Sequence, residues 1–167
     1  MGEAELRKHN NQLIIHASII IYGDAANDAL AVQVAKDIEN YWNDAAGKVR
    51  ISEGWFTKRT YNVRFNIDGR FDSDLTPELV YQNLNPRNNY FRIEEFAHGN
   101  ISFVDGLNSN TGYFMLENLL DNSSTAAHEF GHTLGLDHPH NLDIRGEGAP
   151  GIMYPRGTIV DPQFQYY

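Results

Sequence analysis

Between residues 123 and 138 the chain reads Ser-Ser-Thr-Ala-Ala-His-Glu-Phe-Gly-His-Thr-Leu-Gly-Leu-Asp-His. His128 and His132 are four residues apart, so on a helix both imidazoles share one face, one turn apart. Two neutral imidazoles so placed can share one metal ion, at about 2.0–2.1 Å per bond if the ion is zinc. Glu129 stands beside the first of them. It is placed to take a proton from water at the metal's open position rather than to ligate. His138 lies six residues beyond His132 and cannot reach the same ion from a continuing helix. The chain must turn back, and Gly135 tolerates the positive φ that ends a helix and redirects His138 onto the metal. Three histidines plus water describe an open, catalytic type of zinc site.

These positions match the long zinc-peptidase pattern H-E-x-x-H-x-x-G-x-x-H. The chain resembles the metzincin clan of metallopeptidases, and its histidine helix looks most like the matrixin branch. The resemblance implies a methionine turn below the metal, and Gly151-Ile152-Met153-Tyr154-Pro155 looks like one. Met153 would then be an apolar floor beneath the imidazoles, with Tyr154 beside it at the cleft. It also implies an α+β fold: a twisted, mostly parallel mixed sheet with an antiparallel edge strand, a backing helix and the active-site helix. The edge strand is expected at Ile101, Ser102, Phe103 and Val104, where an extended peptide could add as another strand. The activity implied is that of a zinc-dependent endopeptidase with one catalytic Zn2+, Glu129 as general base and acid, and a protein or peptide substrate.

The chain also departs from matrixins. Pro139 follows the third histidine where matrixins usually have serine, and in this it is closer to the serralysin branch. Fourteen residues separate His138 from Met153, a longer spacer than matrixins carry. Only His9, His16 and His98 precede the motif, which speaks against a second, structural zinc. Beyond the methionine turn, Pro155, Gly157 and Pro162 oppose the helix that family members place there. The run from Gly151 to Phe164 is similar to metallopeptidase domains at the C-termini of bacterial Rhs-type polymorphic toxins. That likeness implies an effector protease held by an immunity protein. A silent module that grips peptides in the same cleft is a third reading, against which the intact Glu129 speaks.

The 167 residues suit one domain with a sizeable core, taken as 12–167 after a flexible lead-in at 1–11. A net charge of −9 argues against nucleic acid as the main partner. There is no cysteine, so disulfides, thiolate metal sites and a cysteine latency switch within this chain are excluded. No run is long and apolar enough to span a bilayer, and no signal peptide is evident. The expectation is a monomeric, secreted or delivered bacterial protein. Two acidic segments, Asp68 to Asp74 and Asp105 to Asn110, offer oxygen ligands to Ca2+ but lack EF-hand spacing.

The elements that must position the motif follow from patterning. Leu13 to Tyr22 reads as a buried strand, and His16 within it as a core or cleft-lining residue. Ala25 to Ala46 reads as a helix with Leu30, Val34, Ile38, Tyr41 and Trp42 on one stripe and Asp28, Lys36, Asp37 and Glu39 on the other. Asp24 or Asn27 could cap it, and Gly47 could stop it. Lys48 to Ser52 and Thr60 to Asp68 read as strands, with a turn at Asp68-Gly69. A short helix follows Thr76-Pro77. Tyr90 to Phe96 and Gly112 to Leu116 read as further strands, and Asn122 or Ser123 as the cap of the histidine helix.

Overall fold

A computed structural model describes residues 1–96, 101–120 and 123–165. Its sheet has seven strands: β1 (Glu3–Arg7), β2 (Gln12–Tyr22), β3 (Lys48–Ser52), β4 (Lys58–Phe71), β5 (Asn88–Glu94), β6 (Phe103–Val104) and β7 (Thr111–Met115). The helices are α1 (Asp28–Asp44), α2 (Pro77–Tyr81) and α3 (Thr125–Thr133). The strand order is β3-β4-β2-β5-β7-β6, with β1 also paired to β2. β2, β4, β5 and β7 run parallel, whereas β1, β3 and β6 are antiparallel to their neighbours. The result is the expected α+β arrangement: a mixed sheet with an antiparallel edge strand at β6.

Alternation builds the core. Ala17, Ile19 and Ile21 of β2 face the same interior as Phe65 and Ile67 of β4, Phe91 and Ile93 of β5 and Phe114 of β7. Leu30, Ala31, Val34, Ala35 and Ile38 of α1 cover them, and Ala126 and Phe130 of α3 complete the cluster. Each fully buried large side chain contributes about 1.5–3 kcal/mol. Asn27 caps α1 by accepting from the Leu30 amide at 2.9 Å. A residue with positive φ, Ala46, follows the helix one position before the glycine expected to stop it.

α1 also completes hydrogen bonding that the sheet leaves open. β3 pairs with β4 only from Lys58 to Asn62, and the Val63 amide then donates to the Gly47 carbonyl at 2.8 Å, so the same edge of β4 has no strand partner beyond that point. Asn43 accepts from the Phe65 amide and donates to the Phe65 carbonyl, both at 3.0 Å. Glu39 accepts from the Ile67 amide at 2.8 Å. Glu39, read from the sequence as part of a solvated stripe, is therefore a partner for strand backbone that would otherwise go unpaired.

Three other expectations are corrected. Asp68-Gly69 is not a turn, because β4 runs through to Phe71. Gly69 is there because α1 crosses it closely: a Cβ would overlap the Ala31 carbonyl and lie 2.8 Å from the Ala35 Cβ. Residues 1–11 are not a loose lead-in, since β1 pairs with β2 from Glu3↔His16 to Arg7↔Gln12. Buried Asn89 adds to this by donating to the Met1 carbonyl at 2.9 Å. The edge strand is shorter than Ile101 to Val104. Only Phe103 and Val104 pair, while the Ser102 hydroxyl accepts from the Met115 amide at 3.1 Å in place of further backbone pairing. His98 and Asn122 lie outside the described residues.

Gly69→Ala should lower the unfolding free energy by about 1–3 kcal/mol, because α1 must move off β4. Urea denaturation measures this, and an unchanged midpoint would contradict the close crossing.

Candidate metal centre

α3 presents His128 and His132, and both of its ends are fixed. The Ser123 hydroxyl accepts from the Thr125 amide at 3.1 Å, one residue before the formal cap, Ser124, which makes no side-chain capping bond. At the other end Gly135 takes φ +85°. Its amide donates to the His132 carbonyl at 3.0 Å, and the Leu136 amide reaches back to Gly131 at 3.1 Å. This pair of bonds is a Schellman ending, which turns the chain so that His138 returns to the helix. The Asn108 amide also donates to the His132 carbonyl, at 2.9 Å. Its side chain fills the space a Cβ on Gly135 would need. Residue 135 is thus glycine for two reasons, conformation and room.

The three imidazoles converge. His138 Nε2 lies 3.0 Å from His128 Nε2 and 3.2 Å from His132 Nε2. The ligand atoms of all three fall within 4.8 Å of one another. Tetrahedral zinc with bonds of about 2.0–2.1 Å sets its nitrogens about 3.3–3.4 Å apart, close to these separations.

Hydrogen bonding decides which nitrogen faces inward. His128 Nδ1 is 2.8 Å from the Ile152 carbonyl, and His132 Nδ1 is 2.8 Å from the Leu136 carbonyl. A carbonyl only accepts, so both Nδ1 atoms carry protons. The neutral rings then direct Nε2 lone pairs at each other and at His138. His138 can donate to only one of them. A cation at the centre would satisfy all three, so the donor set fits a metal ion. Burial lowers the His128 pKa, the Ile152 hydrogen bond opposes this, and His132 and His138 lower it further. The neutral ligand form is thereby favoured.

Met153 lies under α3 at Gly131, the fourth residue of H-E-F-G-H. A Cβ there would overlap the Met153 sulfur and lie 3.0 Å from both Met153 Cε and Trp42 Cζ2. Trp42 also donates its indole N–H to the Ala127 carbonyl at 3.0 Å, and its ring stands 5.3 Å from Phe65. The sequence marks Trp42 only as part of the apolar stripe of α1 and Asn108 only as part of the segment from Asp105 to Asn110 that offers oxygen ligands, and it gives Gly131 no role. Gly131 occupies a variable place in the pattern, and Asn108 is remote in sequence, so neither carried a signal of its place beside α3.

The long spacer after His138 is pinned at its neck. The Ile144 amide donates to the Ile159 carbonyl at 2.9 Å, and the Ile159 amide to the Leu142 carbonyl at 2.7 Å. This neck holds the loop that carries the methionine turn. Tyr154 sits on the turn half-buried, its amide bonded to Gly151 at 3.0 Å. Among the described residues no hydrogen bond joins its side chain to the histidines.

Glu129 is 8% exposed. Burial pushes its carboxyl up to about 7, against a hydrogen bond from the Val104 backbone. A cation on the adjacent histidines would draw the carboxyl back towards its charged form. Phe103 and Ile101 of the edge segment are exposed, and Phe103 stacks on Tyr113 at 5.7 Å. His16 is elsewhere, on the sheet, between Glu5 at 2.9 Å and Asn66 at 3.1 Å. In the two acidic segments, Asp68 accepts from Ser18, Asp72 from the Asp74 amide and Asp105 from Thr111.

Purified protein should bind one divalent transition metal per chain. His132→Ala should weaken binding at least about 100-fold, and Gly131→Ala, which displaces Met153, by about 10–100-fold. Competition against a chromophoric chelator measures both, and an unchanged affinity in His132→Ala would refute the site. No protein-family model matches this chain and no curated protein matches it significantly, so the candidate metal centre stands on these residues and distances alone.

Proposed function

We propose that the chain is a zinc-dependent endopeptidase. The observation that carries this reading is a buried carboxyl, Glu129, next to three histidines whose Nε2 atoms converge and whose Nδ1 atoms are partly committed to carbonyls. His128, His132 and His138 would hold the ion. When bound, such an ion supplies a Lewis acid for a carbonyl oxygen and eases ionisation of water near neutral pH. Three nitrogen ligands without thiolate suit zinc in a hydrolytic role.

Glu129 does the proton work in this reading. It accepts the proton of the attacking water and returns it to the leaving amine nitrogen. Burial raises its pKa and a cation on the histidines would lower it, opposing influences that suit a group that both takes and gives a proton. The Val104 backbone is near enough to that carboxyl to lower its pKa, which sets Glu129 beside β6. The base is thereby held beside the sheet edge where an extended chain can add by backbone hydrogen bonds. Among the described residues β6 has a partner on one side only, β7. Exposed Ile101 and Phe103 flank this edge and offer apolar contact to substrate side chains. Met153 and Trp42 hold α3 in place from below and so keep the three imidazoles in register.

Restraint by an immunity protein, as in a toxin effector, shares this chemistry and differs only in partner. It would follow from the resemblance of the segment around Met153, and co-purification of a tight inhibitor would identify it.

Glu129→Gln should retain the metal and lose peptide hydrolysis by about 10²–10⁴-fold. Cleavage of a fluorogenic peptide library by metal-loaded protein, with metal content measured alongside, gives both values. Cleavage at the wild-type rate by metal-loaded Glu129→Gln would overturn the assignment.

A further inference from the structure

The β3–β4 hairpin lies at the opposite end of the strand order from β6. Its loop carries Trp55 and Phe56, which are 94% and 95% exposed. Two adjacent aromatic side chains, wholly in water, on a convex tip are costly to leave uncovered. The charge around them is opposite to that of the molecule. Residues 48–59 contain Lys48, Arg50, Lys58 and Arg59 against one carboxylate, Glu53, in a chain of net charge −9. Glu53 is occupied on the other side of the hairpin, where Lys8 lies at 3.4 Å, Arg59 at 4.0 Å and the Tyr61 hydroxyl donates to it.

The register sorts the cations. Lys48 pairs with Asn62, Arg50 with Thr60 and Ser52 with Lys58. Alternation therefore sets Lys48, Arg50 and Lys58 on one face, and all three are exposed. Among the described residues none of the three has a carboxylate within 4.0 Å. An aromatic pair at the apex with free cations behind it is the arrangement that suits a lipid–water interface. Indole and phenyl rings enter the headgroup region while ammonium and guanidinium groups meet anionic lipid.

We infer that the Trp55–Phe56 tip and the Lys48, Arg50 and Lys58 face dock this protein peripherally on an anionic lipid surface. A convex tip needs no concave partner to cover it, which a lipid surface matches and a protein pocket would have to be shaped for. Stacking sites for single-stranded nucleic acid place aromatics in a basic groove, and this tip is not a groove. Docking would be peripheral, since no described helix is long and apolar enough to cross a membrane. Because β6 is at the other end of the strand order, docking would leave the edge beside Glu129 open.

The test is co-sedimentation of the whole chain with vesicles of phosphatidylcholine alone or containing about 30% phosphatidylserine. The wild type should bind the anionic vesicles, release as salt rises, and show Trp fluorescence quenched by brominated acyl chains. Trp55→Ser with Phe56→Ser should weaken binding by about tenfold or more, and so should the combined change K48Q, R50Q and K58Q. Both variants alter exposed side chains, and an unchanged melting temperature and metal content verifies their fold. No binding of wild type to anionic vesicles would overturn the inference. So would unweakened binding by the aromatic variant, or a concentration-dependent dimer that the aromatic variant abolishes.

Discussion

The hydrogen bond from His128 Nδ1 to the Ile152 carbonyl, 2.8 Å long, joins two parts of the chain 24 residues apart. It decides the tautomer of one imidazole and the position of the methionine turn together. The Leu136 carbonyl does the same for His132 from the other side of the helix end. Without these acceptors each ring could rotate or present the wrong nitrogen, and the convergence of three Nε2 atoms would be lost. Much of the surrounding structure serves to hold these two carbonyls still. The Schellman ending places Leu136, the Asn108 amide braces the last turn, and the neck between Leu142 and Ile159 holds the loop that carries Ile152.

The same constraint explains why α3 has a glycine between its two histidines. Gly131 lets Met153 and the Trp42 ring approach the helix backbone directly. Trp42 belongs to α1, and its indole N–H is bonded to α3 at Ala127. α1 in turn is fixed to the free edge of β4 by Glu39 and Asn43 and by the close crossing at Gly69. A chain of short contacts therefore runs from the sheet through the backing helix to the floor of the site. Glu39 and Asn43, two polar side chains of α1, thus serve this docking.

The parts of this that could be read from sequence are those with a local period or a fixed spacing. A run rich in β-branched residues marked β2, alternation marked β4, the 3.6-residue stripe marked α1, and the His-Glu pattern marked the ligand candidates and Gly135. What could not be read depends on contacts between distant segments. Gly69 looked like a turn because only the crossing of α1 shows why a strand needs glycine there. Residues 1–11 looked polar and loose because pairing of β1 with β2 uses backbone groups, which polar side chains do not reveal. The roles of Gly131 and Asn108 beside α3 could not be read because they arise from Met153 and from the end of α3, far away in sequence.

The central claim is that three imidazoles of this chain, through Nε2, surround one metal ion with a position left open. X-ray absorption at the zinc edge of protein loaded with one equivalent tests it most directly. The account predicts three imidazole nitrogens at about 2.0–2.1 Å and one further light-atom ligand, with multiple-scattering features of histidine rings. A shell with fewer than three imidazoles, or one filled by four protein ligands with no exchangeable position, would contradict it.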